Sequence, residues 1–105
     1  MNKLMTFKIG MYGKDWELDL YESSYTNGAP ALVLQDSKTY EPFAKLTVNL
    51  SPKKPYPGQY FIKGWSENER IVNHLIEERI LIPTGETINL GFVEAIVCTL
   101  EGDDR

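Results

Sequence analysis

Residues 42–50 read PFAKLTVNL, and this stretch decides the class of fold. Ala44, Leu46, Val48 and Leu50 fall on one side of an extended chain, while Lys45, Thr47 and Asn49 fall on the other with Phe43. A period of two is the mark of a half-buried strand. The same strand opens a run of 25 residues, Pro42 to Ser66, with four lysines and no Asp or Glu. The chain as a whole carries a formal net charge of -4, so this run is a local exception.

Upstream, Met5, Phe7 and Ile9 share a face in a loosely alternating segment, Leu4 to Ile9. Gly10, Gly13 and Lys14-Asp15 supply turn chemistry before a cleaner strand, Trp16 to Tyr21. Trp16, Leu18 and Leu20 are expected to face the core and Glu17 and Asp19 to face water. The two segments predict a hairpin. Asn27-Gly28, which tolerates positive φ, marks a turn into the short apolar strand Ala31 to Gln35. Asp36 to Glu41 is polar and turns the chain into the 42–50 strand. The first fifty residues therefore predict a four-stranded meander whose apolar face needs a cover.

Downstream, Ser66-Glu67-Asn68-Glu69 fits a capping box, and its two glutamates suit the positive end of a helix dipole. Ile71, Val72, Leu75 and Ile76 then form an apolar stripe, with Glu67, Arg70, Asn73, Glu77 and Glu78 around the remainder. The pattern predicts one helix from Ser66 to about Arg79. Ile80 to Ile82 reads as a short extended piece, Pro83-Thr84-Gly85 as a turn, and Thr87 to Leu90 and Phe92 to Leu100 as strands bent at Gly91. The last strand is apolar on both faces and is expected to be central. The polar tail from Glu101 is expected to fray. The fold expected is α+β, one domain over residues 1–105: an antiparallel β-sheet of about five to seven strands with one α-helix packed on one face.

Composition agrees. A chain of 105 residues, 42% hydrophobic and 25% charged, is the size and make-up of one globular domain with its own core. Its net negative charge disfavours general coating of nucleic acid. The start, MNKLMTFKIGMYGKDW, has no apolar block of signal-peptide length, and no stretch approaches the ~20 apolar residues of a membrane span. A cytoplasmic location without membrane attachment is expected. Cys98 is the single cysteine, which leaves no intramolecular disulfide and no cysteine-rich zinc site.

No Walker loop, Gly-x-Ser-x-Gly elbow or Gly-x-Gly-x-x-Gly fingerprint is present. His74 has Glu78 at i+4, an arrangement that can orient an imidazole, but a base needs a nucleophile or a substrate pocket as well. A histidine on the helix surface is the plainer reading, and Cys98 reads as a small buried hydrophobe. No enzymatic activity, cofactor or metal is expected.

The chemistry most open to a partner lies in residues 51–65, SPKKPYPGQYFIKGW. Lys53, Lys54 and Lys63 stand among Tyr56, Tyr60, Phe61 and Trp65, and three prolines restrict the loop. Lysines beside aromatic rings can grip phosphates and stack on bases, or anchor a protein interface. A buried Phe61-Ile62 strand with solubilising lysines accounts for the same residues. Acidic residues form two groups, Asp15, Glu17, Asp19 and Glu22, and Glu94, Glu101, Asp103 and Asp104. On a strand Glu17 and Asp19 would sit roughly 7 Å apart, near the spacing of neighbouring phosphates. A nucleic-acid mimic fits that spacing, and so does a solvated sheet face.

Tyr25-x-Asn27-Gly28, Ala31-Leu32-x-Leu34, Leu46-Thr47-Val48-Asn49-Leu50, Trp65-Ser66-Glu67-Asn68, Thr84-Gly85 and Gly91-Phe92-Val93 together resemble a small domain family of unknown function carried on bacterial conjugative elements and phages. The resemblance spans about residues 16 to 100 and rests on turn residues and one strand. It implies a mobile-element accessory protein, of the kind that includes inhibitors of host defence such as anti-CRISPR proteins, and it carries no catalytic residues. The function expected is a non-enzymatic binding protein with a protein partner, a defence nuclease being one, reached through Lys53, Lys54, Tyr56, Tyr60, Lys63 and Trp65 or through Glu17 and Asp19. The alternative is a single-stranded nucleic-acid-binding module using the loop 51–65.

Overall fold

The computed structural model describes residues 1–101. Strands β1 (Asn2–Met11) and β2 (Lys14–Ser24) pair antiparallel across a two-residue turn. Tyr12 and Gly13 take φ of 53° and 75°, the left-handed values that such a tight hairpin turn demands. Strand β3 (Pro30–Asp36) pairs with β2, and β4 (Pro42–Lys45) pairs with β3, completing the expected meander in the order β1-β2-β3-β4. Phe7, Ile9, Met11, Leu18, Leu20, Leu32 and Leu34 are buried on its inner face.

Two residues of this sheet depart from their expected faces. Phe43 was assigned to the solvent side, but the register of β3 and β4 shifts between Leu34 and Gln35. An added residue in one strand turns the following side chains, and Phe43 packs against Trp16 with ring centroids 4.9 Å apart. Asp19 was expected in water and is instead 3% exposed, enclosed by polar neighbours on the outer face.

Strands β5 (Gln59–Ile62), β6 (Leu81–Asn89) and β7 (Glu94–Leu100) form a second antiparallel sheet in the order β5-β7-β6, with β7 central as its two apolar faces predicted. The seven strands of the described residues thus divide into sheets of four and three. Pro83-Thr84-Gly85, expected to be a turn, is a bulge inside β6. Pro83 pairs with Cys98 and Thr87 with Ile96, so three residues of β6 lie opposite Val97 alone. Gly85 at φ 95° allows the detour, and the Thr84 hydroxyl donates to the Val97 carbonyl at 3.0 Å in place of a ladder bond.

The two sheets are joined at Leu46. In a regular antiparallel ladder a hydrogen-bonded residue exchanges both its N–H and its C=O with one partner. Leu46 divides them: its N–H donates to the Leu32 carbonyl at 2.8 Å, and its carbonyl accepts from Lys63 N at 2.7 Å. The Leu32 N–H, which a straight ladder would direct at that carbonyl, is taken by the Thr47 hydroxyl at 3.2 Å. Thr47 bridges to Ile62, and Val48 N donates to Phe61 at 3.0 Å, so residues 46–48 continue beside β5. Thr47 is therefore buried, where alternation placed it in solvent.

A 3-10 turn, Ser66–Asn68, leads into helix α1 (Glu69–Glu77). The expected capping box does not form. Neither Trp65 nor Asn68 makes a side-chain cap bond, and Ser66 has φ of 59°. Asn68 is spent elsewhere: its Nδ2 donates to the carbonyls of Lys45 at 2.7 Å and Lys63 at 3.1 Å, one on each side of the joint. Ile71, Val72 and Leu75 are buried, and α1 touches β1 and β6, the edge strand of each sheet that lies away from the joint at Leu46. Arg70 adds a bond from Nη2 to the Gly10 carbonyl at 3.1 Å. The helix ends short of Arg79, which turns into the left-handed region at φ 60°.

Among the described residues no helix is long and apolar enough to cross a membrane. The tail carrying Asp103 and Asp104 lies outside the described residues.

Thr47→Val keeps the shape of residue 47 but leaves the Leu32 N–H without an acceptor and the Tyr25 hydroxyl without its 2.9 Å partner. A buried donor left unmade costs about 1–3 kcal/mol, and each kcal/mol lowers the midpoint of a domain this size by about 4–8 °C. Thr47→Ser keeps the hydroxyl and is expected to lose less than Thr47→Val. Thermal and urea unfolding followed by circular dichroism measure both; a valine variant as stable as the parent contradicts the role given to this hydroxyl.

Candidate functional site

The segment from Asn49 to Gly58 leaves the joint and returns as β5. Two short turns shape it, closed by Lys53 N to the Leu50 carbonyl and Gln59 N to the Tyr56 carbonyl, both 2.9 Å, with Gly58 at φ 83°. Lys53 and Lys54 are exposed, and Tyr56 is 74% exposed at the second turn. Restricted φ at the prolines and these closures hold the three side chains outward at little further entropic cost.

The β2–β3 turn lies against this segment. Tyr25 N donates to the Ala29 carbonyl at 2.8 Å, Gly28 N to Tyr25 at 2.9 Å, and Asn27 Oδ1 accepts from Ala29 N at 3.2 Å. Asn27 Nδ2 then reaches Asn49 Oδ1 at 3.2 Å, tying the two loops. A Cβ added at Gly28 would stand 3.6 Å from Lys54 Nζ. Lys45 Nζ sits 5.5 Å from the centre of the Tyr25 ring, within cation–π range. Lys54 and Asn49 therefore lie beside the turn that holds Tyr25 and Asn27, with Lys45 over the Tyr25 ring, and Lys53 and Tyr56 extend the same loop. Tyr25, Asn27 and Lys45 were absent from the residues expected to bind; the Asn27-Gly28 turn was visible in the sequence, but its contact with residue 49 was not.

The other expected residues part from this surface. Tyr60 is 3% exposed in the core, and its hydroxyl donates to a Glu22 carboxylate oxygen. Lys63 Nζ pairs with Glu67 at 2.9 Å, and Trp65 is half-buried at the start of the 3-10 turn. Glu17 is half-buried on β2. Asp19 accepts from the Thr6 hydroxyl at 2.5 Å and from the Ser37 hydroxyl at 2.7 Å, with Lys3 Nζ 3.4 Å away. The Thr6 hydrogen bond first, then that from Ser37, then the Lys3 charge hold its carboxyl below the ordinary aspartate value, against the opposing effect of burial. Glu17 and Asp19 consequently do not present a paired acidic face to a partner.

His74 is half-buried with its ring stacked on Phe7, centroids 6.0 Å apart. It borders a shallow cleft of about 450 Å³ shared with Lys8, Asp15, Trp16, Glu17 and Lys38. A second cleft of about 530 Å³ lies where Met5, Leu20, Glu22, Tyr60, Ile80 and Leu100 meet. Cys98 has no exposed surface, and burial pushes its thiol up to about 12. Among the described residues no three of His, Cys, Asp and Glu gather as a metal would require. Comparison with protein families, curated proteins and solved structures finds no match to this chain.

Two solution properties follow from these geometries. A thiolate is the reactive form of cysteine, so Cys98 in the folded protein at pH 8 is expected to stay unlabelled by Ellman's reagent on the timescale in which guanidinium-unfolded chain reacts completely; rapid labelling of the native chain would contradict its burial. Asp19, with a folded value below its unfolded one of 3.8, stabilises the fold in full above that unfolded value and ceases to as pH falls through the folded value. Urea midpoints are expected to hold from neutral pH to about 5 and to fall below about 4. Asp19→Asn should flatten part of that fall, and an unchanged acid limb would remove Asp19 from the account. Asp36, held low by the Lys38 and Thr39 amides, and Glu67, held low by Lys63, act in the same direction.

Proposed function

We propose that this chain is a non-enzymatic binding protein whose working surface is built on Lys53, Lys54 and Tyr56 together with Lys45 and Tyr25, and that it docks on an acidic patch of a larger protein. The observation that carries this reading is a loop on which Lys53, Lys54 and Tyr56 are exposed, lying against the turn at residues 25–29 with Lys45 over the Tyr25 ring, on a chain whose net charge is negative. Positive charge there steers an acidic partner, and Tyr56 supplies an apolar face to bury once the two meet. Lysines make poor anchors when alone; beside tyrosines they combine with the side chain most often found at the centre of interfaces.

From the resemblance to domains on conjugative elements and phages we infer a host-defence protein as the partner, a nuclease in the first instance, inhibited by occupation of its surface. Binding without chemistry is supported by the position of Cys98, whose thiol is buried in the core. The protein and nucleic-acid readings of the loop both drew on Lys53, Lys54, Tyr56, Tyr60, Lys63 and Trp65. With Tyr60 in the core and Lys63 paired to Glu67, two of those six are engaged within the fold, and Tyr56 is the one aromatic ring of the set left exposed where a strand of bases would stack on several, which favours the protein reading.

The decisive experiment is capture from a bacterial lysate by the tagged chain, before and after nuclease digestion, with the captured protein then purified and its affinity measured. Lys53→Glu with Lys54→Glu is expected to weaken that affinity at least about tenfold, since reversed charges oppose both encounter and contact. The thermal midpoint should stay within about 2 °C, because substitutions of exposed side chains change stability little. Equal affinity in the charge-reversed chain would refute the surface, and capture that vanishes on digestion would assign it to nucleic acid.

A further inference from the structure

A second surface of opposite charge lies on the hairpin formed by β6 and β7. From Ile80 to Glu101 the chain holds Glu86, Glu94 and Glu101 and no Lys, Arg or His. Beyond the bulge the hairpin stands out from the core: residues 84–94 are all exposed except Ile88 and Val93, which are half-buried. At its tip Phe92 is 105% exposed and Leu90 39% exposed. Phe92 therefore packs on nothing in its own chain, although an aromatic ring normally buries about 150–250 Å².

The tip is ordered by its own bonds. Leu90 N donates to the Val93 carbonyl at 2.9 Å, Gly91 N donates to Asn89 Oδ1 at 2.7 Å, and Gly91 takes φ of 104°. Asn89 and Glu94 pair across the base of the loop. A phenyl ring on such a loop meets a partner with little left to order, which is the condition under which one aromatic residue dominates an interface.

We propose that this tip is an anchor: Phe92, with Leu90 beside it, enters an apolar pocket on a partner protein whose rim carries Lys or Arg. Charge selects the occupant. Glu86 and Glu94 flank the tip and oppose approach to anionic lipid, which attracts basic segments, and they complement a basic rim. The anchor goes beyond the lysine surface of the proposed function, from which it differs in residues and in sign of charge.

The test replaces Phe92 by p-benzoylphenylalanine in the whole chain, irradiates it in nuclease-treated bacterial lysate, identifies the adduct, and purifies the protein so found. The expected result is one protein crosslinked at position 92, whose affinity for the parent chain falls at least about tenfold with Phe92→Ala and several-fold with Glu94→Lys or added salt. Phe92→Ala should leave the thermal midpoint of the free chain unchanged. Absence of an adduct, or equal affinity for Phe92→Ala, overturns the anchor. Sedimentation of the parent chain with phosphatidylcholine or phosphatidylglycerol vesicles, lost in Phe92→Ala, overturns it also by giving the tip to a lipid surface.

Discussion

One residue sends its two backbone polar groups to different neighbours, and the architecture depends on that division. At Leu46 the chain stops belonging to the meander and starts belonging to the second sheet, with no loop in between. A buried change of partner in a ladder leaves a donor stranded unless another acceptor arrives. Thr47 provides it for Leu32, and Asn68 reaches the carbonyls of Lys45 and Lys63 on either side. Two polar side chains, each buried, thus allow the strands to curl from one sheet into the next, and α1 then lies between the edge strands away from that joint, β1 and β6.

Apolar burial supplies the drive for this arrangement and little of its register. Leu18, Leu20, Leu32, Leu34, Leu46, Ile62, Leu75 and Leu81 are all at most 2% exposed, and burial of that kind is non-directional. The hydroxyl of Thr47 and the amide of Asn68 have geometry, and geometry chooses which strands meet. The same division of labour recurs on the outer face of the first sheet. Asp19 holds Thr6 of β1 and Ser37 after β3 against β2, so a carboxylate fixes three consecutive strands that their apolar faces alone would let slip.

Those polar contacts are also where the sequence was hardest to read. Period-two alternation located β1 and β2, apolar runs located β3 and β7, and the Ile71, Val72, Leu75 stripe located the helix, because each pattern reports side chains that are buried by their neighbours. Thr47 and Asp19 alternate correctly as solvent positions, and nothing local says that Leu32 or Ser37 will come to meet them. Alternation also runs unbroken through Leu46, so one strand was expected where the chain passes between two sheets. Ser66 and Glu69 satisfy a local capping rule, yet the next contact of this turn is Asn68 with Lys45, 23 residues away. For the candidate surface the split is similar. Lys53, Lys54 and Tyr56 belong to a loop whose prolines mark it as such, whereas Tyr60 follows on a strand buried on both faces, where a tyrosine counts as core.

The segregation of charge follows from the same joint. Residues 42–66 carry lysine without acid, residues 80–101 carry glutamate without base, and β5 from the first run pairs directly with β7 from the second. Their contact is apolar, with Tyr60, Phe61 and Ile62 facing Cys98, Val97 and Ile96, so neither charge set is neutralised by the other across the pairing. Opposite ends of these strands receive the charged residues instead, Lys53 and Lys54 in the loop before β5 and Glu94 at the start of β7. A small core can therefore hold two surfaces of opposite sign on one rigid sheet, and a partner that engages both must present a matching pair at a fixed separation. Such a requirement favours a large, shaped protein over a flexible polymer of one charge, because a uniformly anionic chain attracted to the lysines would be repelled at the hairpin.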